Sequence, residues 1–408
     1  MKGTLLFAQS GGPTAVINAS AYGVFREAFS HDEITKVYAA RFGIDGVLAE
    51  DFVDVGKIDE REIEKLRQTP GAAFGSCRHK LPKDQGADEY AKILAIFKKY
   101  DVRYFVYNGG NDSMDTCNKI ASYFAASDYD CKVVGVPKTV DNDLACTDHC
   151  PGFGSAAKFV ATVCHEIAID TAVYAKGRVT IVEIMGRDAG WLTASAALAT
   201  AHGAGPDLVY LPETPFDFDG FVAQCKKVLE SRGRCLVALS EGVRTSSGDY
   251  VGATSAVAAA DGFKHAQLGG VASRLADKLT SEQGLKTRAI ELSLLQRCAG
   301  HLTSATDVSE AEAAGAEAVK AALAGKTNVM ISFERVSNDP YRIVCRAVCL
   351  DDVANAVKTV PPEFYDEQNA CVTKEGVAYL APLIQGENFP EFDDGLPVYS
   401  RVHPRMKV

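Results

Sequence analysis

The sequence predicts an α/β protein of two interleaved lobes, each a mainly parallel sheet flanked by helices. Three observations predict it. Short apolar runs alternate with helix-period stretches along most of the chain, the order that builds parallel sheets covered on both faces. Two of those runs end in loops rich in glycine, asparagine and aspartate. Arg103–Tyr107 leads into Asn108-Gly109-Gly110-Asn111-Asp112-Ser113, and Val133–Val136 into Pro137-Lys138-Thr139-Val140-Asp141-Asn142-Asp143. In an open α/β sheet that carboxyl edge is where ligands bind. Finally, 408 residues suffice for two lobes sharing a large core, and no linker-like stretch, repeat or low-complexity tract divides them.

Strand one is Thr4–Ala8, followed by Gln9-Ser10-Gly11-Gly12-Pro13-Thr14 and a helix over Ala15–Phe29. Pro13 suits a first helical turn, and a helix start after a glycine pair is a ready anion site. Thr35–Ala40 is strand two, Arg41–Gly46 a loop and 59–68 helical. Gly75–Lys80 sets Arg78, His79 and Lys80 beside a flexible turn, a pattern that a solvated surface loop also explains. Tyr90, Ile93, Leu94 and Phe97 fall at i, i+3, i+4 and i+7, one face of a helix. Met114, Cys117, Ile120 and Phe124 form a similar core stripe after strand three. Strand four is Lys132–Val136. The pattern then gives a helix from Ser155 to about Tyr174, a strand at Arg178–Ile184 and a helix near Leu192–Ala201. Next come a strand at Asp207–Leu211, a helix at Phe216–Ser231 and a strand at Cys235–Leu239. Gln267–Gln283 reads as helix, Thr287–Leu292 as extended, Glu310–Ala324 as helix and Thr327–Glu334 as strand. The last sixty or so residues lack clean periodicity.

Composition narrows the function classes. Hydrophobic residues at 47% and charged residues at 24% describe an ordinary globular protein. No apolar run approaches the roughly 18 residues of a membrane span, and the apolar N-terminus is too short for a signal peptide and is read as a strand. Twelve cysteines, scattered without CxxC pairs, fit thiols in a cytoplasm. Cys146 and Cys150 beside Asp148 and His149 lack the second pair that a zinc site needs. A net charge of −10 with no basic tract argues against nucleic acid, so an anionic substrate needs a locally basic pocket.

Several motif look-alikes fail. Counted as a calcium loop from Asp141, position six is Cys146 and position twelve Gly152, where glycine and glutamate belong. Gly152-Phe153-Gly154-Ser155-Ala156-Ala157 imitates a dinucleotide fingerprint but follows no strand. Ala324-Gly325-Lys326-Thr327 imitates the end of a P-loop, with Lys320 where the first glycine belongs.

Gly11-Gly12, Gly109-Gly110-Asn111-Asp112-Ser113, Pro137–Asp143, Met185-Gly186-Arg187 and Ser240-Glu241-Gly242 occur in this order over roughly residues 1–335. Together they resemble the phosphofructokinase family, and more closely its pyrophosphate-dependent branch. The resemblance implies a magnesium-dependent, reversible transfer of phosphoryl from pyrophosphate to the 1-hydroxyl of fructose 6-phosphate. It makes Asp141 the base and assigns Thr139, Asp143, Met185, Gly186, Arg187 and Glu241 to the sugar phosphate. Arg178, Arg288 and Arg297 are assigned to its 6-phosphate, one of them drawn from a neighbouring subunit. Gly12, Arg78 and Ser113 fall to the donor phosphates. ATP-dependent members carry glycine where this chain has Asp112, whose carboxylate would stand where the α-phosphate goes. Lys138 supplies a point charge to the moving phosphoryl.

Two departures stand out. Asn111 occupies a place where the family has an aspartate tied to magnesium, so the metal is expected on Asn111 and Asp112. Leu294 stands where other members have histidine or tyrosine, and Arg288 is placed by spacing alone. The resemblance further implies a pyrophosphate and magnesium lobe at 1–150, a sugar-phosphate lobe at 151–300 and a return of 300–408 to the first. It also implies a homodimer and a cytoplasmic enzyme of glycolysis or gluconeogenesis, without nucleic-acid or membrane partners. The alternatives are an ATP-dependent kinase, which Asp112 opposes, and a non-catalytic sugar-phosphate-binding subunit, which the presence of Asp141, Lys138 and Arg187 opposes.

Overall fold

The computed structural model describes residues 1–252, 269–354 and 356–405. It contains β1 (Gly3–Gln9), β2 (Ile34–Ala40), β3 (Phe52–Asp54), β4 (Val102–Gly109) and β5 (Lys132–Pro137). These are followed by β6 (Val179–Ile184), β7 (Leu208–Tyr210), β8 (Cys235–Ser240) and β9 (Thr287–Glu291). A seven-stranded sheet runs in the order Tyr341–Cys349, Val329–Asn338, β5, β4, β1, β2, β3. Its centre is parallel, while the hairpin of Val329–Asn338 with Tyr341–Cys349 closes one edge and antiparallel β3 the other. A second sheet, β7-β8-β6-β9, is parallel throughout. The chain thus leaves the large sheet after β5, builds the small one, and returns for the hairpin. The α/β class with mainly parallel sheets holds.

The apolar runs follow from where the strands lie. Leu5, Leu6, Phe7 and Ala8 of β1 are all fully buried, because a central parallel strand is covered on both faces. Alternation divides them between two cores. Leu5 and Phe7 join the cluster containing Phe25 and Phe74, where Phe7 meets Phe25 edge-on at 5.3 Å. Leu6 and Ala8 join the cluster with Phe97, Phe105 and Phe124 on the other face. Helices Ile17–Ala28 and Ala305–Leu323 cross over the first face through two glycines. A Cβ at Gly23 would fall 2.1 Å from the Glu312 carbonyl oxygen, and one at Gly315 would fall 2.1 Å from that of Ser20.

Arg41–Gly46 is not simply a loop. Gly43–Ala49 is helical after Phe42 in the left-handed region, and burial of Ile44 and Val47 overrides the two glycines that suggested a turn. Residues 59–68 divide into an α-helix, Glu60–Glu64, and a 3-10 turn, Lys65–Gln68. The helix expected over Gln267–Gln283 is present as Val271–Gln283, with positions 267 and 268 outside the described residues. After Cys349 the chain has short helices, of which Lys374–Leu380 is the longest, and two-residue strand pairs, so no period could show. No helix among the described residues is long and apolar enough to cross a membrane.

Candidate active site

A cavity of about 430 Å³ opens where the carboxyl ends of β1, β4 and β5 face those of β6 and β8. It is lined by Gly12, Arg78, Asn111, Asp112, Ser113, Lys138, Thr139, Asp141, Asp143, Met185, Arg187, Glu241 and Arg297. Segments far apart in sequence therefore share one site.

The first loop turns into the helix Asn111–Ala126. A Cβ at Gly109 would fall 2.0 Å from the Ser113 hydroxyl, so the glycine lets the helix start close against the strand. Asn111 Nδ2 donates to Asp143 Oδ2 at 3.1 Å, joining the two loops. Its Oδ1 is buried with no hydrogen-bond partner. Asp112 Oδ1 lies 2.9 Å from Lys80 Nζ. Lys80 is thus a site residue that sequence reasoning left among surface charges, although the basic run 78–80 was visible. His79 takes a different direction, to Asp45 at 2.8 Å and Glu89 at 3.2 Å.

On the second loop Lys138 is only 3% exposed, and its Nζ donates to the Gly12 carbonyl at 2.6 Å. Burial brings its ammonium down to about 8, with Arg297 and Arg78 acting in the same direction and Asp141 opposing. Burial lifts the Asp141 carboxyl to about 7, reinforced by Asp143 and Glu241. The Asp143 carboxyl is also raised, first by burial. A carboxyl held near neutrality in a cavity suits proton transfer at ordinary pH.

From the small sheet, Glu241 is raised by burial while Oε1 accepts the Gly186 N–H at 3.4 Å. Gly186 does not itself line the cavity; at φ 137 it makes a bend that presents its N–H to Glu241. Met185 N donates to Gln296 Oε1 at 3.2 Å, fastening this loop to the turn bearing Arg297. A Cβ at Gly12 would fall 2.9 Å from Arg297 Nη1, so glycine there leaves room for the guanidinium.

Arg178 and Arg288 are not brought to this cavity. Arg178 immediately precedes β6, its guanidinium 5.1 Å from the centre of the Tyr174 ring, and Arg288 pairs beside Thr180 near the start of β9. The cavity lies at the other end of β6, roughly 20 Å away at the usual rise per residue. Within one chain only Arg297 of the three expected arginines reaches it. The expected basic pocket also needs correction: Arg78, Lys80, Lys138, Arg187 and Arg297 face an equal number of carboxylates, Asp112, Asp141, Asp143, Asp188 and Glu241. Lys80, Asp188 and Val357 were not foreseen as lining residues.

The dinucleotide look-alike at Gly152 meets a different end. The helix Phe153–Thr171 follows a loop, and its first N–H groups are taken by Asp307, which accepts from Gly152 N at 2.9 Å and Ser155 N at 2.8 Å.

The phosphofructokinase family profile matches residues 4–322. The pyrophosphate–fructose 6-phosphate 1-phosphotransferase of Xanthomonas campestris pv. campestris (strain B100) is 47% identical over 405 residues, 97% of this chain and 95% of that protein. The enzyme of the same name from Halomonas elongata is 43% identical over 401 residues, 97% of this chain and 95% of that protein. The crystal structure of the pyrophosphate-dependent phosphofructokinase from Nitrosospira multiformis superposes with a TM-score of 0.89 at 40% identity. That match covers 98% of this chain and 96% of the other. With its profile match spanning most of the sequence, the chain belongs to the phosphofructokinase family.

Proposed function

We propose that this chain transfers a phosphoryl group reversibly from pyrophosphate to the 1-hydroxyl of fructose 6-phosphate, giving fructose 1,6-bisphosphate and phosphate. Its full-length relatives carry that activity in their names and lie in the pyrophosphate-dependent branch. The observation that carries the mechanism is the placement of Asp141 and Lys138 on one buried loop lining the cavity, where burial lifts the carboxyl to about 7 and lowers the ammonium to about 8.

Asp141 takes the proton of the 1-hydroxyl as that oxygen bonds to phosphorus and the bridging oxygen leaves with the departing phosphate. Lys138 meets the negative charge of the moving phosphoryl. Gly12, Arg78 and Ser113 line the donor side, while Thr139, Asp143, Met185, Arg187, Glu241 and Arg297 line the acceptor side, with Gly186 acting through Glu241. Reversibility follows because donor and product phosphoryl bonds are of comparable type.

A magnesium ion fits the Asn111 corner. Its buried carbonyl oxygen lacks a partner beside Asp143, and Asp112 is the next residue. Among the described residues no cluster of three or more His, Cys, Asp or Glu side chains forms a metal cage. Magnesium commonly keeps its waters and binds through one or two protein ligands plus substrate phosphates. When bound there by Asn111 and Asp112 it would neutralise donor charge.

Residues 1–150 are proposed as the donor lobe and 151–300 as the sugar-phosphate lobe, with the remainder returning to the first. A homodimer in the cytoplasm is the proposed working state. Arg178 and Arg288, remote from the cavity in one chain, could serve a second copy. Exposed Ile169, Val173 and Tyr174 before Arg178 support an interface there. Initial rates with pyrophosphate and with ATP, each with fructose 6-phosphate, test the activity; turnover with ATP alone overturns it.

A further inference from the structure

The segment 356–360 has no assigned role, yet it crosses between the two loops that form the cavity. On one side Val357 bridges Leu144, and Lys358 N donates to the Asp143 carbonyl at 2.8 Å. On the other, the Lys358 carbonyl accepts Trp191 Nε1 at 2.9 Å. Val360 N donates at 2.9 Å to Glu213 Oε1, the same oxygen that accepts Gly190 N at 2.8 Å. The Lys358 backbone is therefore bonded to the loop after β5 and to Trp191, the first helical residue after the loop that follows β6.

Its side chain goes further. Lys358 Nζ donates to the carbonyls of Thr147 at 3.0 Å and Asp148 at 2.6 Å, and lies 5.3 Å from the centre of a Trp191 ring. The Asp148 carbonyl also accepts Tyr379 Oη at 2.5 Å, and Asn142 Nδ2 donates to that Tyr379 oxygen at 3.2 Å. Asn142, between Asp141 and Asp143, sits at φ 55 and is fully buried. Its Oδ1 accepts Cys150 N at 2.9 Å. Asparagine tolerates the left-handed region at small cost, and hydrogen bonds of its side chain hold it there. Its partners are Cys150, in the same loop, and Tyr379, from a C-terminal segment remote in sequence.

We propose that residues 356–360 tie the loop after β5 to the loop after β6, and that Lys358, supported by Tyr379, is a positioning residue for Asp141. A primary amine with donors aimed at two backbone carbonyls fixes the return of the loop 141–148, and so the place of the carboxyl at its start. This role rests on the assignment of Asp141 as the base.

The test compares wild type with Lys358→Met, which keeps the stem without the donors, Lys358→Arg, and Tyr379→Phe. Two quantities are measured: steady-state kinetics per folded enzyme, and hydrogen exchange over 139–148. A misplacement of about 1 Å at reacting groups can cost on the order of 100-fold. We expect kcat to fall at least about tenfold in Lys358→Met. The KM for pyrophosphate, whose proposed contacts Gly12, Arg78 and Ser113 lie on other loops, should stay within about threefold, with exchange over 139–148 faster. Lys358→Arg should recover part of the loss, and Tyr379→Phe should show the same kcat-centred defect in smaller measure. Wild-type kcat in folded Lys358→Met overturns the proposal; if that variant does not fold, wild-type kcat in Tyr379→Phe does so. A wild type inactive with pyrophosphate defeats the proposed function instead. Exchange then decides the tie by itself, protection unchanged in both variants overturning it.

Discussion

Replacing Asp112 with glycine tests how the site chooses its donor. The carboxylate stands in the first turn of the helix Asn111–Ala126, on the cavity wall, with its side chain 21% exposed. A nucleotide phosphate brought within about 4 Å would meet a repulsion on the order of 4 kcal/mol at an effective dielectric of about 20. The Lys80 ammonium, 2.9 Å from Asp112 Oδ1, cancels much of that. The exclusion is thus partly steric, and about 1.4–3 kcal/mol of net penalty against ATP remains, or roughly tenfold to 150-fold in rate. Removing the carboxylate frees both the space and Lys80, whose cation then faces the incoming phosphate. We expect kcat/KM with ATP to rise by at least about tenfold in Asp112→Gly, with pyrophosphate activity retained in part. The assay is coupled detection of fructose 1,6-bisphosphate with each donor at saturating fructose 6-phosphate. A variant folded but inactive with both donors would refute the gate. Unchanged donor preference in an active variant would refute it equally.

Asp141→Asn, which keeps the shape and loses the base, should lower kcat by about 100- to 10,000-fold with modest changes in either KM; steady-state kinetics decide, and wild-type turnover would remove Asp141 from proton transfer. The pH profile of kcat/KM should be a narrow bell. Asp141 must be ionised, so activity rises with pH through about 7; Lys138 must stay protonated, so activity falls as pH passes about 8. Full activity at pH 5.5, after correction for pyrophosphate speciation, would contradict this sign. Gly315→Ala drives a methyl into the Ser20 carbonyl and should destabilise the fold by about 1–3 kcal/mol in urea unfolding. A variant as stable as wild type would show that the two helices can separate without loss.

The parts of the site legible in the sequence are those fixed locally. Buried parallel strands write themselves as continuous apolar runs, as in Leu5–Ala8, and the turns after them need glycine, as at Gly109 beneath Ser113. Both loops and their carboxylates could therefore be found without coordinates. What escaped was set by tertiary placement. Lys80 looked like any surface lysine, because its partner Asp112 is thirty-two positions away. Val357 and Lys358 lie in a segment held by scattered hydrogen bonds to both lobes, which leaves no period. The arginines teach a sharper lesson. Arg178 precedes its strand while Met185 and Arg187 follow it, so one strand carries them to opposite ends of the sheet. Residue type and order suggested a shared phosphate site; strand direction forbids it within one chain.

The charge balance of the cavity bears on what must enter it. Five cations and five carboxylates line it in a chain of net charge −10, so no large positive field awaits a bare polyanion. Three of those carboxyls, Asp141, Asp143 and Glu241, are raised by burial, and Asp143 and Glu241 further lift Asp141. Lys138 is drawn the other way by burial and by its neighbours Arg297 and Arg78. Such a site holds its proton donors and acceptors near neutrality at the expense of attraction for phosphate. A donor arriving with a divalent cation brings less net charge and asks less of the arginines. The same cation would meet the unpartnered Asn111 oxygen. Asparagine adds no charge at that corner where an aspartate would, which leaves the ion more of its charge to offset that of the donor phosphates.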